Sequence, residues 1–309
     1  MSWPARLHVV TGKGGVGKTT VAAALAIALA SHGDRVLLVE VEGRQGLAQL
    51  FELEPLPYFE MRLGEIDADL RLLAVDPEEA LLEYLDLFYK MGRAGRVLRR
   101  LGAIDFATTV APGLRDILLT GKVKEATTRT DESGQRRYRA VVLDAPPTGR
   151  IGRFLNVTAE AARLAKLGPI KSQSEGVAAL LRSPMTSVHI VTLLEEMPVQ
   201  ETTDAMRELT ALHIPIGKII VNAASPPLLT ARVTQADIKK GLVAAGLPAD
   251  KPTVTGLQSE ANAHLARQAV EEQLREELGR LGRPIVELPL LSDGVDLSGL
   301  QRLAGILAG

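Results

Sequence analysis

The chain has 309 residues, of which 46% are hydrophobic, so it is long enough to bury a large core. Lysine and arginine total 36 against 37 aspartates and glutamates, and the formal net charge of −1 gives no basic excess of the kind that binds nucleic acid. Cysteine is absent, which excludes disulfides, cysteine-ligated zinc and a thiol nucleophile. The apolar run Val21 to Ala30 is too short for a membrane span, and the N-terminus lacks a signal-peptide pattern. We therefore expect a cytoplasmic protein with no transmembrane segment.

The N-terminal residues predict a strand, a helix and a second strand. Arg6 to Thr11 has the pattern of a short buried strand, and Gly12 to Gly17 that of a loop. Lys18 to His32 predicts an alanine- and leucine-rich helix, which Gly33 would close in the left-handed conformation. Since Arg35 to Val41 is a second continuous apolar strand, the segment predicts a βαβ unit with parallel strands.

Further apolar runs extend this unit into a larger sheet. Strands are predicted at Leu70 to Val75, Arg139 to Asp144, Ser187 to Thr192 and Lys218 to Asn222, and helices at Thr202 to Leu212 and Ala261 to Gly279. Short continuous runs of Val, Ile and Leu are typical of strands that helices cover on both faces. The alternation predicts an α/β fold with a doubly wound, mainly parallel sheet.

Two regions lack a clear strand and predict helices. They are residues 78–126 and 157–183, which we expect to form a small helical subdomain within one domain that spans residues 1–309. Thr127 to Arg137 is polar and predicts an exposed loop. The spacing of leucines from Leu297 to Leu307 predicts a core or interface helix, since a membrane anchor would be more basic.

The glycine-rich segment between the first strand and the first helix carries the clearest chemical signal. It matches the pattern G-x-x-x-x-G-K-[ST] in the strand–loop–helix setting of a P-loop. Glycines let backbone N–H groups converge on phosphates, and the helix N-terminus adds the positive end of its dipole. Lys18 would neutralise the β- and γ-phosphates, and the Thr19 hydroxyl would bind Mg²⁺. The residues expected to bind ATP are Gly12, Gly14, Gly15, Val16, Gly17, Lys18, Thr19 and Thr20.

A second motif follows the strand that ends at Asp144. A carboxylate at the carboxyl end of a buried strand can hold Mg²⁺ through water, so Asp144 is the second expected metal residue beside Thr19. The next residues, Ala145 to Gly149, read Ala-Pro-Pro-Thr-Gly, a stiff turn whose final glycine could approach a γ-phosphate. The two motifs together predict ATP and Mg²⁺ as cofactors.

These motifs resemble those of a known ATPase class. With Lys13, the sequence KGGVGKTT is similar to the deviant Walker A motif of the MinD, ParA, nitrogenase iron-protein and arsenite-pump (ArsA) ATPases. Asp144 to Leu155 (DAPPTGRIGRFL) and Thr192 to Thr202 (TLLEEMPVQET) resemble segments of the ArsA and tail-anchored-protein targeting ATPases. The similarity spans about Leu7 to Leu291 and is strongest at the nucleotide motifs. Within this branch, the chain is most similar to the actinobacterial ArsA-like proteins that occur as paired paralogues.

The resemblance implies further residues and a partner. It implies a nucleotide-sandwich dimer, either a homodimer or a heterodimer with a paralogous ATPase, in which Lys13 reaches the partner's nucleotide and acts catalytically with Lys18. Asn222 would read adenine, and Pro289 and Leu290 would flank it in a late loop. The alternatives are a solvated loop lysine at position 13 and a turn-capping asparagine at position 222.

The first switch departs from the family pattern. Where the family has D-P-A-H, with an aspartate that positions the attacking water, this chain has Glu42-Gly43-Arg44-Gln45, and Arg150 replaces a histidine after DAPPTG. Glu42 is our catalytic candidate, and Glu40 is the alternative because strand alternation directs both side chains the same way. Since a misplacement on the order of 1 Å can cost about 10²-fold in rate, slow hydrolysis is expected. The cysteines that bind arsenite in pump subunits are absent.

The predicted function is a Mg-ATP-binding, slowly hydrolysing dimeric ATPase whose nucleotide state sets the geometry of two subunits. A hydrophobic client protein is a further candidate partner, because Leu81, Leu85, Phe88 and Tyr89 would either line a small groove or pack the helical subdomain. Two alternatives stay open. One is a catalytically weak nucleotide-binding subunit of a heterodimer, and the other is a ParA/MinD-type positioning ATPase.

Overall fold

Eight strands pair side by side in the computed structural model, which describes residues 3–89, 112–157, 159, 161, 169–229 and 231–309. The strands are β1 (Leu7–Gly12), β2 (Val36–Glu40), β3 (Met61–Arg62), β4 (Leu70–Ala74), β5 (Ala140–Asp144), β6 (Thr186–Thr192), β7 (Ile216–Ala224) and β8 (Ile285–Pro289). The helices of the described residues are α1 (Lys18–Ala30), α2 (Gly46–Leu50), α3 (Pro77–Tyr89), α4 (Pro112–Thr128), α5 (Thr148–Leu155), α6 (Pro169–Leu181), α7 (Glu196–Ala211), α8 (Gln235–Ala244), α9 (Lys251–Arg280) and α10 (Leu297–Ala308).

The strand order is β3-β4-β2-β5-β1-β6-β7-β8, and of the strands that the structure describes only the short edge strand β3 runs antiparallel to its neighbour. The central strands β1, β2 and β5 are buried along their whole length, as expected for a parallel sheet with helices on both faces. The α/β fold and doubly wound sheet predicted from the sequence are confirmed. Because these strands are parallel, the carboxyl ends of β1, β2 and β5 lie at the same edge of the sheet.

One face of the sheet is covered by α1 and α10. Helix α1 is buried on almost every side, since its alanines let the sheet and α10 approach it closely. Leu300, Leu303 and Leu307 of α10 belong to the same hydrophobic cluster, which confirms the predicted core helix. The indole N–H of Trp3 donates to the Leu307 carbonyl at 2.8 Å and fastens the N-terminus to α10.

The opposite face is covered by helices α3 to α7. Tyr84 of α3, Ile117 of α4 and Val177 of α6 share one hydrophobic cluster with Val9 of β1 and Leu37 of β2. The regions predicted as helical are helical where the structure describes them, and their packing is continuous with the sheet. Residues 90–111, 158, 160 and 162–168 of those regions lie outside the described residues, and the subdomain boundaries stay a prediction.

Several boundaries differ from the sequence prediction. Gly12 is the last residue of β1 instead of the first loop residue, and β3, β8 and α8 were not predicted. Helices α7 and α9 begin earlier than predicted, because Pro198 and Pro252 lie in their first turns, where no intrahelical N–H donor is needed. In the part of the chain that the structure describes, no helix has the length and hydropathy that crossing a membrane requires.

Candidate functional site

The glycine-rich loop leaves β1 at the edge where the central parallel strands end. Gly12 lies so close to β6 that a Cβ atom there would sit 2.2 Å from the Val191 carbonyl oxygen. A side chain at this position would push the loop away from the sheet. Two hydrogen bonds attach the same end of β1 to the turn that follows β5. The Thr11 hydroxyl donates to the Pro146 carbonyl at 2.7 Å, and the Ala145 N–H donates to the Val10 carbonyl at 3.0 Å.

The far side of the loop is held by β7. Gly17 has a left-handed φ of 87°, and a Cβ on it would lie 2.3 Å from the amide nitrogen of Asn222. That amide donates to the Val16 carbonyl at 2.9 Å. Asn222 therefore contacts the loop backbone in this structure, and its predicted contact with adenine stays a prediction. Gly14 and Gly15 are exposed, with no atom of the described residues within 4 Å of an added Cβ, so this part of the loop is open to a ligand.

The two lysines of the loop have different partners. The Lys18 ammonium donates to the Lys13 carbonyl at 3.4 Å, so its side chain arches over the loop, where phosphates bind in a P-loop. The Lys13 ammonium forms an ion pair with Glu201 of α7 at 2.9 Å, and both side chains are about 30% exposed. The predicted contact of Lys13 with a partner subunit is thus replaced, in this single chain, by a contact within the subunit.

The two expected metal residues meet at the start of α1. The Thr19 hydroxyl donates to Oδ2 of Asp144 at 2.6 Å. Asp144 is 7% exposed, and its Oδ1 is buried with no hydrogen-bond partner among the described residues. Burial raises the pKa of Asp144 to about 6, although the Thr19 hydrogen bond and the Lys18 charge lower it. A cation that took the free oxygen would favour the ionised form of this carboxylate.

This chemistry fits Mg²⁺. Hydroxyl and carboxylate oxygens are ligands that Mg²⁺ accepts, and it usually keeps water and substrate phosphate oxygens in the rest of its shell. Among the described residues, no group of three or more His, Asp or Glu side chains could hold a metal ion. A cation between Thr19 and Asp144 would therefore need further ligands, which the β- and γ-phosphates of a bound nucleotide can supply.

The structure separates the two carboxylates that the sequence left as alternatives. Glu40 is buried, and its carboxylate accepts hydrogen bonds from the N–H groups of Gly46 at 3.1 Å and Leu47 at 3.0 Å, where α2 begins. Glu42 is paired with the largely exposed Arg150 of α5, at 3.5 Å. Glu40 thus anchors α2, the helix that follows the first switch. Glu42 faces Arg150, which belongs to the second switch, the segment 144–150 that leads into α5.

The residues expected to surround adenine lie together at the ends of β7 and β8. Pro289 ends β8, and the Leu290 N–H donates to the Ala224 carbonyl at 3.0 Å. Beside them is a cleft of about 1030 Å³ that α9 also lines. Gln268 and Arg275 of α9 line this cleft. The sequence did not indicate them as binding residues, because it predicted only a helix in this region.

Sequence reasoning also missed the role of Glu201. It belongs to the segment TLLEEMPVQET that carries part of the resemblance, yet nothing in its local pattern shows that it contacts the loop. In the structure one carboxylate oxygen contacts Lys13, and the other accepts from the Thr148 hydroxyl at 2.7 Å.

A glycine-rich loop that runs from a central parallel strand into a helix N-terminus, beside a strand-end aspartate, defines a P-loop nucleotide-binding fold. The family model described as anion-transporting ATPase matches residues 5–183. ATPase BagA of Mycobacterium tuberculosis is 49% identical over all of this chain and 95% of its own length. The arsenical pump-driving ATPase of Acidiphilium multivorum is 25% identical over 96% of this chain and 48% of its own length. ATPase GET3 of Kluyveromyces lactis is 27% identical over 69% of this chain and 70% of its own length.

The chain therefore belongs to the anion-transporting ATPase family, the ArsA-like family that its motifs resemble. It is an ATPase, and its nucleotide-binding class is that of the P-loop proteins.

The close approach of Gly12 to β6 predicts that a side chain at this position destabilises the protein. We expect Gly12→Ala to lower the free energy of unfolding by about 1–3 kcal/mol, because the new Cβ meets a backbone carbonyl that cannot move independently. Gly14→Ala is the matched control in the same loop and should change it by less than about 0.5 kcal/mol. Urea unfolding measures both, and equal stability of the two variants would contradict the geometry.

Proposed function

We propose that this chain is a Mg²⁺-dependent ATPase that works as a dimer and couples its nucleotide state to the geometry of two subunits. The observation that carries the proposal is the contact of Thr19 with Asp144, which leaves the other carboxylate oxygen buried and without a partner among the described residues. A buried, unpartnered acceptor that is close enough to Lys18 to feel its charge, next to a loop rich in N–H groups, suits a cation bound together with an anion.

Each residue near the loop has a defined task in this proposal. The loop N–H groups and Lys18 bind the phosphates, Thr19 and Asp144 hold Mg²⁺, and Mg²⁺ neutralises phosphate charge when it is bound. Glu42 orients the attacking water, because its carboxylate, unlike that of Glu40, is not committed to backbone N–H groups of α2. Arg150 pairs with Glu42 and fixes its direction. Glu42 is one methylene longer than the aspartate of the family pattern, and Gly43 replaces its rigid proline. Hydrolysis is slow because the carboxylate is held less well in place.

The proposed dimer rests on the position of Lys13 in the loop motif and on its exposure. The deviant loop pattern supports a lysine that stabilises charge on a nucleotide bound to the partner, and in this structure Lys13 is partly exposed on the rim of the loop. A second copy of this chain and a paralogous ATPase are both compatible partners. We also propose a cytoplasmic location, where ATP is available.

Binding of a hydrophobic client has less support. Leu81 and Tyr84 of α3 are buried in the core, and Leu85 packs against it. Among the described side chains of α3, Leu87 is the largely exposed apolar one. Phe88 and Tyr89, which were expected near a groove, lie where the structure describes no side chains.

A positioning ATPase of the ParA/MinD type would bind DNA or liposomes when ATP is present, which sedimentation tests.

Single-turnover hydrolysis tests the catalytic assignment. With enzyme in excess over ATP, Glu42→Gln should slow hydrolysis by about 10²-fold or more, because the amide no longer accepts a proton or orients water as a carboxylate does. Glu40→Gln is the matched control: it should retain more of the rate and instead lower stability by about 0.5–2 kcal/mol, because it weakens the cap of α2. Loss of turnover in Glu40→Gln alone would reverse the two roles. No turnover by the wild-type chain, alone or with a paralogue, would contradict its catalytic role.

Molar mass in solution tests the dimer. Light scattering should show a dimer with a non-hydrolysed ATP analogue and a monomer with ADP, and Lys13→Ala should abolish the dimer because the charge that crosses the interface is lost. Lys239→Ala, at an exposed site on α8, is the matched control and should behave as the wild type does. An ATP-dependent dimer that persists in Lys13→Ala would rule out the cross-subunit role of Lys13.

A further inference from the structure

We propose that Glu201 is a positioning residue that holds Lys13 within its own subunit and ties it to the second switch, so that bound nucleotide must take Lys13 from Glu201. The consequence for assembly rests on the proposed dimer, whereas the contact itself belongs to the single chain. Three elements far apart in sequence meet here: the phosphate loop, α7 and the N-terminus of α5.

The contacts form a continuous chain of hydrogen bonds, which we call the Lys13–Glu201–Thr148 network. The Lys13 ammonium lies 2.9 Å from Oε1 of Glu201, and the Thr148 hydroxyl donates to Oε2 at 2.7 Å. One carboxylate oxygen therefore contacts the phosphate loop and the other contacts the second switch. Burial raises the pKa of Glu201, but hydrogen bonds from Lys13 and Thr148 outweigh it, and the pKa lies below its ordinary value. Glu201 is ionised at neutral pH and attracts the lysine.

The Thr148 end of the network is buried and packed. Thr148 is 5% exposed and begins α5 directly after the Asp144-Ala145-Pro146-Pro147 turn. Helix α5 packs on α7, since Ile151 and Phe154 lie in one hydrophobic cluster with Val199 and Leu209. A movement of the second switch therefore carries α7 with it, and with α7 the carboxylate that holds Lys13.

The Lys13 end is exchangeable. Lys13 and Glu201 are 30% and 32% exposed, and ion pairs at such exposure are weak enough to yield to a stronger anion. The phosphates of a nucleotide carry several negative charges, so they compete with a single carboxylate for the same ammonium. Release of Lys13 leaves Glu201 with Thr148 alone. In this way the nucleotide that binds Lys13, which is the partner's nucleotide in the proposed dimer, is sensed at the start of α5.

The test compares Glu201→Gln with Asp204→Asn, which removes an acidic charge one turn further along α7, where Asp204 contacts Gln200 and Arg207 instead of the loop. Peptide mapping after brief acylation of the nucleotide-free chain gives the labelling rate of Lys13 relative to the exposed Lys239. We expect Glu201→Gln to raise it by about 2- to 5-fold, the range that an exposed ion pair supports. Thr148→Val, which removes only the hydroxyl contact, should raise it by less, and Asp204→Asn should leave it unchanged. Equal rates in Glu201→Gln and the wild type would overturn the proposal.

A second readout separates this proposal from that of the dimer. With the ATP analogue, Glu201→Gln should dimerise at a protein concentration about 2- to 5-fold below that of the wild type, because Lys13 no longer has to leave a carboxylate. Faster acylation with an unchanged dimerisation midpoint would overturn the competition with nucleotide. Faster acylation in a chain that never dimerises with ATP would support the intramolecular network and refute the proposed dimer.

Discussion

The parallel pairing of β1 with β5 is the constraint on which the site depends. Val10 lies opposite Asp144 in this register, and β1 continues directly into the loop that starts α1. A shift of the register would separate the loop hydroxyl of Thr19 from the carboxylate that it contacts at 2.6 Å. Because both strands are buried on both faces, such a shift would also displace the core, and the packing therefore fixes the geometry of the site.

Several charged side chains meet at the same edge of the sheet. Glu40 is the strand neighbour of Asp144, and Glu42 follows two residues later, so Asp144 feels the charges of both carboxylates as well as that of Lys18. Glu40 and Asp144 are buried, and the proximity of other carboxylates helps to raise the pKa of Asp144. Glu40 is committed to α2, Glu42 to Arg150 and Glu201 to Lys13, which leaves the free oxygen of Asp144 for a cation.

How far the sequence predicts this protein depends on the range of the interactions. The strands β1, β2 and β5 are continuous apolar runs, and the loop motif needs only local spacing, so both could be predicted. The two-residue strand β3 gives no such signal. The contact of Asn222 with Val16 joins residues 206 positions apart, and no local pattern shows it. The functions of Glu40 and Glu42 are equally hidden, since a period of two gives both side chains the same direction, and only the start of α2 distinguishes them.

Calorimetric titration of the intact chain with ATP, with and without Mg²⁺, is the most direct test that this edge of the sheet binds Mg-ATP. We predict one ATP per chain and an affinity about tenfold higher with Mg²⁺, and Asp144→Asn should remove that increment while it retains binding of the phosphates to the loop. Absence of ATP binding, or an affinity that Mg²⁺ raises equally in the wild type and in Asp144→Asn, would contradict the site.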